Sequence, residues 1–300
     1  MEACSTAHHW ARKLTALGHT VRLIAPQFVA PYRKGGTSGK NDAADAEAIC
    51  EAASRPTMRF VPTKNVHQQG IMTMHRMRQG WIEERTALIN RVRGLLAEFG
   101  LPLPQRTAAL KRIPELLEDA SNEMPGIARA ALMAGWQHLG VINERIAELD
   151  CKIREHAKMD ESARRIMELL GVGALTASAV IDAVGDGREF KNSRQFAACL
   201  GLTPSQSSSG GKVQLGRITK RGDGYVRMLL IMGAHSALLT ASRRTDRISR
   251  WLIELQAKVG WRKALVALAN KHARIIWSLL TKKEAFVVDH LPARFAEDSV

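Results

Sequence analysis

Asp42 and Asp45 are the first residues along this chain whose spacing invites chemistry. They lie three apart, so a helix over 40–53 (KNDAADAEAICEAA) turns both carboxylates to one face, and Glu47 and Glu51 extend an acidic side. Two roles fit. Acids near a helix start compensate its dipole, and carboxylate pairs also hold Mg2+, a hard cation that shares its shell with phosphate oxygens. A second group is the Ser/Gly stretch 205–212 (SQSSSGGK), which runs on to Lys220-Arg221-Gly222-Asp223. Lys212, Arg217, Lys220, Arg221 and Arg227 crowd this region against the acid Asp223. Such a stretch reads as a solvated linker, or as a serine nucleophile beside cations that hold a phosphate. Third, 169–181 (LLGVGALTASAVI) sets Gly171 and Gly173 before a helix of small residues. That is the pattern of a helix-hairpin-helix, in which glycines let the turn approach a phosphate and free helix N–H groups receive it. A tight turn between two helices, with no ligand, has the same composition.

The elements that must position these groups are mostly helical. A helical pattern over 2–17 ends at Gly18, a short strand covers Thr20–Ala25, and Arg59–Pro62 adds one more extended piece. One strand alone makes no stable sheet, so either its partners come from elsewhere or the upstream part of the domain is absent. Ile71, Met74, Trp81, Leu88, Val92, Leu95 and Phe99 form a 3-4 seam that includes Arg78 and Arg85 and is broken by Pro102 and Pro104. A second seam runs through Leu132, Trp136, Leu139, Ile142, Ile146, Leu149 and Ile153. Together they predict an antiparallel helical hairpin, packed as a bundle or as an oligomerising coiled coil. Beyond residue 159 short helices alternate with Gly-rich turns, and two basic amphipathic helices follow at about 246–258 and 261–282.

Charge narrows the partners. With 44 Lys and Arg against 29 Asp and Glu, the 300-residue chain carries +15. A surplus of that size favours a polyanion such as nucleic acid. A 45% hydrophobic content is enough for a real core and excludes a disordered polymer. No uncharged apolar run approaches the roughly 20 residues that span a bilayer, so no membrane partner is expected. The start lacks the basic and apolar regions of a signal peptide. Cys4, Cys50, Cys151 and Cys199 lie far apart and read as reduced, half-buried residues of a cytoplasmic protein.

Taken in order, MEACSTAHHWARKL with Glu2, KNDAADAEAI at 40–49, GVGALTASAVI and FAACLGLTPSQSSSGGKVQLGRITKRGD at 196–223 resemble the insertion-sequence 110 family of DEDD transposases. The 227–240 and 261–280 helices also fit that family's pattern. The resemblance implies three regions: a partial RuvC-like (RNase H-like) α/β domain over 1–66, a coiled-coil insertion over 67–159, and an α-helical transposase domain with the helix-hairpin-helix over 160–300. It implies that Glu2, Asp42 and Asp45 are Mg2+ ligands, and that Ser209, with Ser208 as the alternative, attacks a DNA phosphate to form a phosphoserine link. It further implies DNA as the substrate, a structured guide RNA and a second protomer as partners, and a nucleoid-associated bacterial protein. The family's first Asp lies on a strand ahead of the glutamate, and here the chain starts one residue before Glu2. The expectation is therefore an insertion-sequence transposase that cleaves and rejoins DNA, or, as the alternative, a remnant or mis-started frame that is catalytically impaired as written; either binds nucleic acid through Gly171, Gly173, Lys212, Arg217, Lys220, Arg221 and Arg227.

Overall fold

A computed structural model describes residues 1–33, 41–209 and 212–282. Lys40 and the Gly210-Gly211 pair that follows Ser209 lie outside the described residues. The chain is mostly helical and divides into two compact units. One is Ile71–His156; the other joins Met1–Gly70 to the chain from Ala157 onward.

The first unit is a helical hairpin. Helices α4 (Val66–Glu98) and α6 (Gly126–Met159) run through it, joined by a 3-10 turn at Thr107–Arg112 and the short α5 (Ile113–Glu118). Leu88, Val92 and Leu96 pack with Leu132, Leu139, Ile142 and Ile146. The two seam arginines have polar partners on α6. Arg78 Nε meets Asp150 Oδ1 at 2.5 Å, and Arg85 Nη1 donates to Asn143 Oδ1 at 3.4 Å. Partner numbers fall as helix numbers rise, as an antiparallel pair requires. The expected seam needs one correction: Leu95 is 47% exposed, and Leu96 takes the buried position. A strict 3.5-residue repeat drifts about 20° per heptad on a straight helix, so a seam drawn that way slips to the neighbouring residue.

In the other unit, the N-terminal part holds α1 (Ala7–Ala16), β1 (Leu23–Ile24), α2 (Pro26–Val29), α3 (Asp42–Ser54) and β2 (Phe60–Val61). Strand β1 pairs antiparallel with β2, Leu23 opposite Val61 and Ile24 opposite Phe60. On its other side the chain start lies parallel: Ala3 N donates to Ile24 O at 2.7 Å and Ile24 N to Met1 O at 2.9 Å. So β1 is not alone, and its Leu23 and Ile24 are fully buried. Asn41 caps α3, its side-chain oxygen accepting from Ala44 N at 2.8 Å.

The C-terminal part is built round α10 (Gly224–Ala241) and α12 (Trp261–Lys282), with α7 (Glu161–Met167), α8 (Ala174–Val184), α9 (Ser193–Cys199) and α11 (Arg247–Val259) against them. By length and composition α10 is apolar enough to cross a membrane. Here Val226, Leu230, Ala234, Ala237 and Ala241 are buried in the largest core, which accounts for that composition. The short strands β3 (Pro204–Gln206) and β4 (Leu215–Ile218) form an antiparallel hairpin. The four cysteines, expected half-buried, are exposed, and among the described residues none forms a disulfide. Each sits on a helix flank or loop that the packing turns outward.

Candidate active site and nucleic-acid interface

The acidic group assembles from three separate segments. Glu2 lies on the extended start beside β1, and Asp45 lies in the first turn of α3. Between them stands Arg33, which follows the 3-10 turn Ala30–Tyr32. Its Nη2 is 3.4 Å from both Glu2 carboxylate oxygens, and its Nε is 2.9 Å from Asp45 Oδ1. Two carboxylates 43 positions apart in the chain therefore converge on one cation. Asp42, one turn earlier on α3, is exposed and joins neither contact. Among the described residues no three His, Cys, Asp or Glu side chains cluster closely enough to hold a metal. The hard-oxygen pair of Glu2 and Asp45 does suit a divalent cation, and Arg33 shows that a positive charge fits between them.

The serine group sits at the end of the β3–β4 hairpin. Ser209 bridges to Lys212 across the tip, Lys212 N donating to Ser209 O at 3.1 Å. The two candidate serines differ in their bonding. Ser208 Oγ accepts from Gln206 Nε2 at 2.9 Å and from Gln214 N at 3.3 Å, so its hydroxyl is part of the hairpin. Among the described residues, Ser209 Oγ has no hydrogen-bond partner. Both serines are exposed, as are Lys212 and Arg217.

The KRGD segment that follows is a rigid turn, and each of its residues has a separate job. Gly222 has φ +75°, and a Cβ there would lie 1.8 Å from Cys199 O, so only glycine admits the contact. Lys220 is itself left-handed at φ 54°, its N–H donating to Gly201 O at 3.2 Å. Asp223 caps α10, accepting from Tyr225 N at 2.8 Å and Val226 N at 3.1 Å. Arg227 Nη1 donates to Leu200 O at 3.0 Å and Arg221 O at 2.8 Å, stapling the turn to the end of α9. Of the basic residues named from sequence, Arg227 thus has an intramolecular role, while the Lys220 and Arg221 side chains are exposed.

The two glycines before α8 also separate. Gly171 has φ +80°, and a Cβ there would meet Gly233 O at 2.2 Å. Its close approach is to the backbone of α10. Gly173 is the N-cap of α8, with open space where a Cβ would go. A cavity of about 560 Å³ opens here, lined in part by Gly171, Gly173, Ser236 and Arg244.

Two buried titratable groups escape sequence reasoning. Asp182 on α8 is 2% exposed, and burial pushes its carboxyl up to about 7, against the lowering pull of Lys64 and of the Ser178 hydroxyl. His272 on α12 is fully buried; burial, with the Lys271 charge adding to it, lowers its imidazole to about 4. Asp182 stands in an apolar helix and His272 on the buried face of an amphipathic one, and neither has a ligand or catalytic spacing around it, so nothing marks them in the sequence.

Comparison with known proteins agrees on one kind of relative. Residues 163–249 match the transposase family model described as IS116/IS110/IS902, and residues 1–100 match the DEDD transposase model of IS110. A probable family 20 transposase of Pseudomonas aeruginosa is 47% identical over 95% of this chain and 84% of its own length. The transposase for insertion sequence element IS1111A of Coxiella burnetii is 42% identical over 95% of this chain and 78% of its own. The transposase for IS1328 of Yersinia enterocolitica is 39% identical, covering 95% and 84%.

Proposed function

The chain belongs to the IS116/IS110/IS902 family of transposases, enzymes that cut and rejoin DNA, and we propose that Ser209 is its nucleophile. The observation that carries this is the contrast within the hairpin: Ser208 Oγ is bonded inside it, while Ser209 Oγ stands at the tip opposite Lys212. The serine oxygen forms a bond to a DNA phosphorus as the bridging P–O bond to one deoxyribose breaks. The proton lost by serine passes to the departing sugar oxygen. The phosphoserine link keeps the bond energy, so the reverse attack by a new strand end rejoins DNA without hydrolysis. Lys212, Arg217, Lys220 and Arg221 hold the phosphates on either side and stabilise the charge that builds there. The α8 N-terminus at Gly173 adds a grip independent of sequence.

Glu2, Asp42 and Asp45 would hold Mg2+ as part of a RuvC-like domain. When bound, the ion stabilises charge on the phosphate oxygens as a Lewis acid. Arg33 keeps Glu2 and Asp45 facing each other in the meantime. Pairing of protomers through the α4–α6 hairpin, and a guide RNA on the basic surface, complete the proposal, which puts the protein at cytoplasmic, nucleoid DNA.

The test is an SDS-stable adduct between the chain and labelled element-end DNA in Mg2+. It should form with the unmodified chain and with Ser208→Ala, and be absent with Ser209→Ala. An adduct that survives Ser209→Ala refutes the assignment. One observation favours a second reading, binding without strand transfer: of the three acids, only Glu2 and Asp45 converge. DNA binding with no adduct from any form of the chain is its signature.

A further inference from the structure

A cleft of about 440 Å³ lies where the N-terminal part meets the KRGD turn, within one compact unit. Gln27, Phe28, Tyr32, Met58, Arg59 and Arg221 line it. We infer that this cleft holds one unpaired nucleotide of the DNA strand, its base against Phe28 and Tyr32 and its phosphates between Arg59 and Arg221.

Four observations point that way. The volume suits a single small ligand. The lining combines aromatic rings with guanidinium groups and includes no carboxylate among the described residues. That combination binds single strands, since every base has a face to stack and every link has a charge. Third, the walls are set in advance. Phe28 and Tyr32 pack on the cluster of Ile24, Val29, Ala48 and Ala52, and the Arg55 guanidinium lies 5.4 Å from the Tyr32 ring centre. The backbone of Arg221 is pinned by Arg227 and lies 2.3 to 2.5 Å from where a Gly201 Cβ would stand, so its side chain leaves a fixed point. Finally, the cleft is tied through the chain to both candidate reacting groups. Tyr32 precedes Arg33, which holds the acids, and Arg221 follows the strand that leads from Ser209. A nucleotide seated here would draw its strand out of the duplex, at an unstacking cost of about a few kcal/mol.

The inference rests on the transposase reading for its substrate, and the experiment separates the two. The full chain is irradiated with a thymidine oligonucleotide that carries one 5-iododeoxyuridine, and the crosslinked peptide is mapped. The expected crosslink is to Phe28 or Tyr32. Arg59→Ala and Arg221→Ala, both at exposed positions, should each weaken single-strand binding about 3- to 10-fold and lower its salt dependence by about one phosphate. Crosslinks that map only elsewhere overturn the inference, as does a signal from the matching RNA oligonucleotide alone. A chain that binds duplex element ends but ignores the single strand refutes the cleft and leaves the transposase reading standing. A chain that binds neither refutes that reading itself.

Discussion

Replacing Gly171 with alanine adds one methyl group at the tightest approach between the turn before α8 and helix α10. The new Cβ would stand 2.2 Å from Gly233 O, 2.9 Å from Gly233 C and 3.2 Å from Ala237 Cβ. An ordinary carbon–oxygen contact is about 3.3 Å, so the turn and α10 must separate by about 1 Å. Left-handed backbone costs a non-glycine residue about 1–2 kcal/mol, and overpacking adds about 1–3 kcal/mol. The sum, about 2–5 kcal/mol, falls on the core that joins α8, α10 and α12. In a unit of this size each kcal/mol moves Tm by about 2–4 °C, so Gly171→Ala should melt roughly 4–20 °C lower. Gly173→Ala is the control. With φ −93° and open space around it, it should lose under about 1 kcal/mol, the difference between glycine and alanine as an N-cap. Thermal melts followed by circular dichroism, with duplex affinity measured well below both transitions, decide the matter. If Gly171→Ala melts within about 2 °C of the unmodified chain, the close packing against α10 is not what that glycine serves.

Other perturbations test separate features. Arg33→Gln frees Glu2 and Asp45 from their shared cation, and Mn2+ affinity, read by calorimetry, should rise about 2- to 5-fold, modest because the ion pairs are partly exposed. Unchanged or weaker Mn2+ binding would show that Arg33 does not compete for that place. His272 is lowered to about 4 in the fold, so the unfolded chain takes up its proton first. Its contribution to stability is therefore present above pH 6.5 and lost as pH falls toward 4, at up to about 1.4 kcal/mol per pH unit. His272→Leu should abolish that slope, and neither ring nitrogen has a hydrogen-bond partner to lose among the described residues; urea titrations at pH 5 and 7 would reveal a slope that persists. Asp182 has the opposite sign. Raised to about 7, it is protonated in the fold where the unfolded group is not, so stability is lost as pH climbs from about 4 to 7. Asp182→Asn should stabilise the chain by roughly 1–3 kcal/mol at pH 8 and little at pH 4, and a loss of stability at pH 8 would refute the assignment.

Local patterns carried much of this fold. Asn41 announces α3, Pro102 and Pro104 follow the end of α4, and the apolar steps of 132–153 mark the buried face of α6, because each signal lies within a few residues of its effect. Contacts that span long stretches of chain left no such trace. The pairing of Glu2 with Arg33, the fit of Gly171 to Gly233, and the staple from Arg227 to Leu200 each join a residue that the sequence singles out to a distant partner that nothing in the sequence marks. Glycines beside an apolar pair suit a phosphate or a neighbouring helix equally well, and only tertiary packing distinguishes the two. The acids and the serine stretch were named from composition and resemblance, whereas the cation that joins two of those acids was not.

The KRGD turn has a consequence for anyone who would tune how tightly this protein holds DNA. Its frame and its grip reside in different side chains. Gly222, Asp223 and Arg227 hold the turn against α9 and α10, so exchanging them would unseat the scaffold. Lys220 and Arg221 project from that scaffold with their side chains in solvent. A library that varies those two positions and keeps the other three fixed samples new contacts on an unchanged chassis, and most of its members should fold.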